Sequence, residues 1–313
     1  MRAVIARALR FDYRCRWFAF GRSALALATA SELLFTRPAA LFTTVGNTTG
    51  PFCTAQPAVS LFCVGNSHEF VAGRCWLAVV GLVVVASGYR PRYLGIVHLW
   101  IVFSLTTSVT LPDGGDSIAL IVLFLITPMC LADPRRWQWS TPQQRMSRTG
   151  RTVAYLSFWA LRLQIAYLYA DSAIAKMGVA DWQNGSAFYY FVRDKMFGSA
   201  GPVAPLWMSL SDRALSTLAI TWGAIATELA IALFTLLGTR WRLAAFWLAL
   251  ALHTLIFVSM GLFSFSLVMV AVGALIATPD VGVRRGPPQP WPTKHPATHN
   301  ESISAEAGQA EGA

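Results

Sequence analysis

The chain has 313 residues, 55% of them hydrophobic and only 13% charged, with 25 Lys and Arg against 15 Asp and Glu for a net charge of +10. Apolar runs long enough to cross a hydrocarbon core, about 20 residues at 1.5 Å each, recur along it, which excludes an ordinary soluble domain; the lack of alternating ten-residue strands excludes an outer-membrane barrel. The arginines sit in short segments between those runs, so the positive balance marks membrane topology and implies no nucleic-acid partner.

The predicted fold is all-α, a polytopic membrane helical bundle of about eight transmembrane helices with interfacial helices on the outer side. Arg2, Arg7, Arg10, Arg14 and Arg16 form a basic flank expected in the cytoplasm, and Phe18 to Phe35 crosses outward. That first run lacks a small-residue cleavage pattern and is expected to stay in the mature protein. Residues 36 to 68, rich in Thr, Asn, Gly and Pro, form an outer loop. Phe70 to Ser87 returns, Arg90 and Arg92 hold a turn inside, and Tyr93 to Thr110 goes out to the cation-free turn Leu111 to Asp116.

Ile118 to Leu131 comes back to the connector with Arg135, Arg136, Arg145, Arg148 and Arg151, the strongest inside mark in the chain. Val153 to about Lys176 then crosses outward. The aromatic stretch that follows, with Trp182, Tyr189, Tyr190, Phe191, Phe197 and Trp207, reads as helices lying in the outer interface. Leu215 to Leu237 returns to a turn at Arg240 and Arg242, Leu243 to Ser259 goes out, and Met260-Gly261 reverses the chain into Phe263 to Ile276. This layout makes the chain a multi-pass protein of the cell membrane with membrane lipids as neighbours and both termini cytoplasmic. Residues 1–278 form the membrane domain, and 279–313, which lack material for a core, are expected to be a disordered cytoplasmic tail.

Cys53 and Cys63, each in a Phe-Cys pair of the outer loop, are expected to form a disulfide, two buried thiols being the alternative. No CxxC or His/Cys zinc spacing is present, so no metal site is expected.

The densest polar information lies in Gln164-Ile-Ala-Tyr167-Leu-Tyr169-Ala-Asp171-Ser172-Ala-Ile-Ala-Lys176, followed by Trp182-Gln-Asn-Gly185. An ionisable group at membrane depth costs roughly 2.5 to 3.5 kcal/mol, so Arg162, Asp171 and Lys176 on one span call for partners or a function. At 3.6 residues per turn Arg162, Tyr169 and Lys176 share one seven-spaced row, and Gln164 and Asp171 another. Glu228, mid-span on a later helix, needs a partner, for which Arg22, Arg162 and His253 are the candidates; Arg22, Glu32 and His98 read equally well as packing polar groups. Lys176 is the candidate base, a desolvated amine sheltered by Trp182 and Tyr189, with Asp171, Glu228 and His253 as catalytic companions and Arg162, Gln164, Tyr167, Tyr169 and Trp182 around the pocket. The alternative is a lysine that merely snorkels to the interface.

The string Tyr167 to Met177, Trp182-Gln-Asn-Gly185, the late His253 with Met260-Gly261-Leu-Phe263, and the opening Arg14-Cys-Arg16-Trp-Phe-Ala-Phe-Gly21-Arg22 together resemble the horizontally transferred transmembrane (HTTM) domain, shared with vitamin K-dependent gamma-carboxylases. Size, span count and the Phe-Cys pairs are most similar to the short bacterial branch typified by sporulation-delaying protein B. In the carboxylases the matching lysine deprotonates the vitamin hydroquinone, so the resemblance carries a base role onto Lys176 and makes quinone a possible cofactor. Asp171-Ser172 departs from the small Ala-Gly of the carboxylase pattern, and the large lumenal domain is missing, so glutamate carboxylation is not implied.

The resemblance implies a bacterial inner-membrane protein that assists maturation or export of a small secreted peptide toxin, with the peptide precursor and a companion maturation protein as partners. A quinol-dependent enzyme using a lysine base is the first alternative. A transporter or immunity-type binding protein is the second, disfavoured by the lack of internal repeats. Whether the chain is an enzyme is left open by its residues.

Overall fold

The computed structural model describes residues 2–53, 59–64, 70–195, 198–199 and 201–280. The predicted tail, apart from Pro279 and Asp280, lies outside the described residues, as does Phe197. Among the described residues every regular element is helical except a hairpin of β1 (Thr44–Val45) and β2 (Thr48–Thr49), antiparallel with Thr44 opposite Thr49.

A short α1 (Arg2–Ala8) precedes α2 (Arg16–Phe35), and α3 (Pro38–Leu41) opens the loop that holds the hairpin. Then come α4 (Val71–Ser87), α5 (Pro91–Ser108), α6 (Gly114–Leu131) and the 30-residue α7 (Arg148–Met177). Three short helices, α8 (Ala180–Gln183), α9 (Ala187–Arg193) and α10 (Ala204–Ser211), lead to α11 (Ala214–Leu236), α12 (Thr239–Met260) and α13 (Phe263–Ile276). Of these, α2, α6, α11 and α12 are long and apolar enough to cross a membrane; α4 and α13 are apolar but shorter, at 17 and 14 residues.

Local chemistry sets the boundaries. The α6 helix starts at Gly114 rather than at Ile118, because Asp113 and Asp116 form a reciprocal capping box: Asp116 N–H donates to Asp113 Oδ1 at 2.8 Å, and Asp113 N–H to Asp116 Oδ2 at 3.2 Å. The α7 helix starts at Arg148 rather than Val153, because Ser147 Oγ accepts the Gly150 N–H at 3.0 Å, so the arginine-bearing turn is already helical. Gly261, with a left-handed φ of 74°, ends α12 and turns the chain directly into α13.

Helix association in lipid rests on close packing more than on the hydrophobic effect, and small residues make it possible. The α2 and α13 helices pack most extensively, with a Cβ at Gly21 destined to lie only 2.8 Å from the Ala271 carbonyl oxygen. The main core joins α2, α6, α7, α12 and α13 through Leu25, Leu123, Phe158, Leu161, Ala249 and Leu275; a second core packs Phe62 of the loop against Leu82 of α4 and Leu105 of α5. Cys53 and Cys63 are bridged, with Cα atoms 5.6 Å apart, beside that second core.

One end of the bundle is built on arginine. Before α2, Arg14 pairs with Asp12 at 2.8 Å and donates to the Gln144 carbonyl of the connector at 2.9 Å. Burial works against ionisation of Asp12, but the Arg14 guanidinium prevails and holds its carboxyl below the usual carboxylate range. Arg22 donates to Gln138 Oε1 at 2.6 Å, while the Gln138 amide donates to Ala19 O and Ser23 Oγ, fixing the connector against α2. Arg242, fully buried, donates to Ile276 O, Thr278 O and Leu237 O at 3.0, 2.8 and 3.2 Å and pairs with Asp280 at 3.0 Å. It thereby satisfies carbonyls at the C-terminal ends of α11 and α13, which have no partner within their own helices.

Candidate functional site

At the opposite end of the bundle, α7 stops at Met177 while α11 continues past it, and α8, α9 and α10 fill the step. Asn184-Gly185 turns α8 into α9, and the Phe188 N–H donates to Thr221 Oγ1 of α11 at 3.1 Å. The result is a cavity of about 600 Å³, open on one side and bordered by α6 to α13. Trp182, Phe188, Phe191, Trp207 and Phe265 line its apolar wall. That volume lies within the range of about 300–1,000 Å³ usual for ligand pockets.

The polar content of the cavity is concentrated in one cluster. Lys176 Nζ donates to both Glu228 oxygens, each at 2.8 Å, and to Ser172 Oγ at 2.7 Å. The Ser172 hydroxyl in turn donates to Glu228 Oε1 at 3.2 Å, closing a triangle of hydroxyl, ammonium and carboxylate. Both charged side chains remain partly accessible from the cavity, Lys176 at 21% and Glu228 at 11%. The Trp182 ring lies 5.4 Å from Nζ, within cation–π range, and packs edge-on against Phe191. Glu228 sits eight residues before the end of α11, about 12 Å along its axis, well inside the helix.

Deeper along α7, Tyr169 Oη lies 3.0 Å from His253 Nε2, and the imidazole edge meets Phe265. His253 and Tyr169 are both buried and both line the cavity wall. The other seven-spaced row takes the edge of the cavity, with Gln164 half-buried and Asp171 exposed, and Tyr167 is exposed beside them.

Of the residues proposed from sequence, Lys176, Glu228, His253, Tyr169, Trp182, Gln164, Tyr167 and Asp171 therefore converge on one cavity. Arg162 does not. It is buried on the same face of α7 but about two helical turns before Tyr169 and four before Lys176, where it donates to Thr235 O and Leu237 O at 2.9 and 2.8 Å and stacks 3.9 Å over the Trp159 ring. Glu228 pairs with none of Arg22, Arg162 and His253, because Gln138, the end of α11 and Tyr169 hold those three; its partner is Lys176. Lys176 thus has Glu228 and Ser172 as partners in addition to the sheltering Trp182 ring. Sequence reasoning also passed over Ser172, whose i, i+4 spacing to Lys176 is the signal that could have singled it out. Among the described residues, no group of three or more His, Cys, Asp or Glu side chains gathers as a metal site.

With this geometry in hand, comparison with known proteins adds a family. The HTTM domain profile matches residues 77–280. The chain is 33% identical over 276 residues to "Uncharacterized protein YitO" of Bacillus subtilis (strain 168), covering 86% of this chain and 88% of that protein. It is 30% identical over 258 residues to "Sporulation-delaying protein SdpB" of the same strain, covering 81% of this chain and 78% of the other. No solved structure matches the chain significantly.

Proposed function

Because the chain belongs to the HTTM domain family, in the branch that includes SdpB, we propose that it is a multi-pass cell-membrane protein that assists maturation or export of a small secreted peptide toxin. The peptide occupies the cavity at the end of α7, and a companion maturation protein acts with it. In this reading α2, α4, α5, α6, α7, α11, α12 and α13 are eight spans, both termini are cytoplasmic, and α8 to α10 lie in the outer interface with the disulfide loop outside. The arginine concentration at one end of the bundle supports that orientation.

The observation that carries the proposal is the Lys176–Glu228 pair facing an aromatic cavity. An ionisable pair kept inside the bundle and turned to an open space supports a place where substrate is handled, since apolar residues in its stead would cost less. The quinol-dependent alternative calls for a free amine, and Lys176 commits its amine to both oxygens of Glu228.

Deletion of the gene, with mass spectrometry of the culture medium, tests the reading. The mature peptide is expected to disappear and to return with the wild-type gene but not with Lys176→Met. Unchanged peptide after deletion would refute it.

A further inference from the structure

Hydroxyls on apolar helices usually turn back onto the carbonyl three or four residues earlier, and this chain follows that habit at Thr106, Thr107, Thr127, Thr152 and Ser259. Ser172 departs from it. Its hydroxyl is turned into the cavity, donating to Glu228 Oε1 and accepting from Lys176 Nζ.

We infer that Ser172 is a nucleophile and that Ser172, Glu228 and Lys176 form an acyl-transfer centre that cleaves a peptide bond within an apolar stretch of its substrate. The inference rests on the proposed function, that a secreted peptide is handled in this cavity, and it names the chemistry. The roles follow from the triangle. Glu228 Oε1, already accepting the hydroxyl hydrogen, takes the proton as Ser172 Oγ bonds to the substrate carbonyl carbon. Lys176 stays an ammonium throughout and, 2.7 Å from Oγ, offsets the negative charge that develops on the alkoxide and the adjoining carbonyl oxygen. Collapse breaks the carbon–nitrogen bond, and the departing amine takes the proton from Glu228. A water then gives its proton to Glu228 and bonds to the acyl carbon, the carbon–Oγ bond breaks, and the proton returns to Oγ. Atoms and charge balance with water as the sole co-reactant. The wall formed by Trp182, Phe188, Phe191 and Trp207 selects apolar side chains on either side of the cleaved bond.

The test uses the full chain in lipid nanodiscs and a fluorophosphonate bearing a long alkyl chain, which phosphonylates an activated serine with loss of fluoride. Peptide mass mapping is expected to find the adduct on Ser172, absent in Ser172→Ala and formed at least about tenfold more slowly in Glu228→Gln, a tenfold change being about 1.4 kcal/mol. Ser172→Cys keeps a nucleophile of similar size and is expected to be alkylated at residue 172 by an alkyl maleimide faster than the buried Cys75 and Cys130. In cells, Ser172→Ala is expected to abolish the mature peptide while membrane levels of the protein are maintained. No adduct at Ser172 together with normal peptide from Ser172→Ala would overturn the nucleophile and leave the proposed function standing. Normal peptide after whole-gene deletion would instead overturn the proposed function, whatever the probe reports.

Discussion

The two ends of the bundle use buried cations in opposite ways. At one end Arg22, Arg162 and Arg242 are 1%, 2% and 0% exposed, and their hydrogen bonds go to an amide and to carbonyls at helix ends. At the other, Lys176 and Glu228 face each other across a cavity and keep part of their surface open to it. The guanidiniums of Arg162 and Arg242, each spread over two or more backbone acceptors, tie helix ends together, whereas the Lys176–Glu228 pair beside a hydroxyl joins one side chain to another. Buried charge therefore ties helix ends together at one end and, in the proposed reading, meets substrate at the other.

The largest expected effect is at the architectural end. Arg242→Ala strands carbonyls of α11 and α13, at a cost of about 1–3 kcal/mol for each one left unsatisfied, while the half-exposed Asp280 that it also releases can turn to water. Size-exclusion profiles in detergent should show aggregated or missing protein; a monodisperse peak equal to wild type would erase the distinction between the two ends. Next comes the simultaneous replacement of Lys176 by Met and Glu228 by Leu. Removing both charges together avoids a stranded ion, so the melting temperature in detergent should hold or rise while the secreted peptide falls by at least about 100-fold. Retained peptide would make the cavity pair architectural too.

Smaller effects grade the cavity from wall to rim. Tyr169→Phe loses its hydrogen bond to His253, worth about 1 kcal/mol, and should lower the melting temperature slightly and the peptide yield severalfold. Asp171→Asn, at the exposed rim, should leave the yield within about twofold of wild type. A large loss from Asp171→Asn in a quantitative peptide assay would move the working centre from the interior to the mouth.

Much of the helix layout was legible in the sequence because apolar run length and arginine punctuation act locally. The reversal at Met260-Gly261 and the helix Phe263–Ile276 stand where the pattern placed them. The starts of α6 and α7 were missed because capping side chains extend a helix beyond its apolar part. The seven-spaced row from Arg162 to Lys176 correctly implied a shared face, but periodicity carries no information on depth. Arg162 therefore went into the pocket on paper and to the end of α11 in three dimensions. The partner of Glu228 was illegible for a related reason: Lys176 is 52 residues away in sequence, and only the packing of α7 on α11 brings them together.

The packing of α13 on α2 ties the order of synthesis to the order of assembly. The α13 helix has only 14 residues, mostly enclosed by α2, α6 and α12, and presents little surface for lipid to solvate. Its main neighbour leaves the ribosome far earlier and must wait, with the small-residue face around Gly21 uncovered, until Phe263–Ile276 emerges. A nascent chain halted before Phe263 would thus carry an unfilled slot along its first long helix, open to lipids, to chaperones of the membrane or to a neighbouring copy.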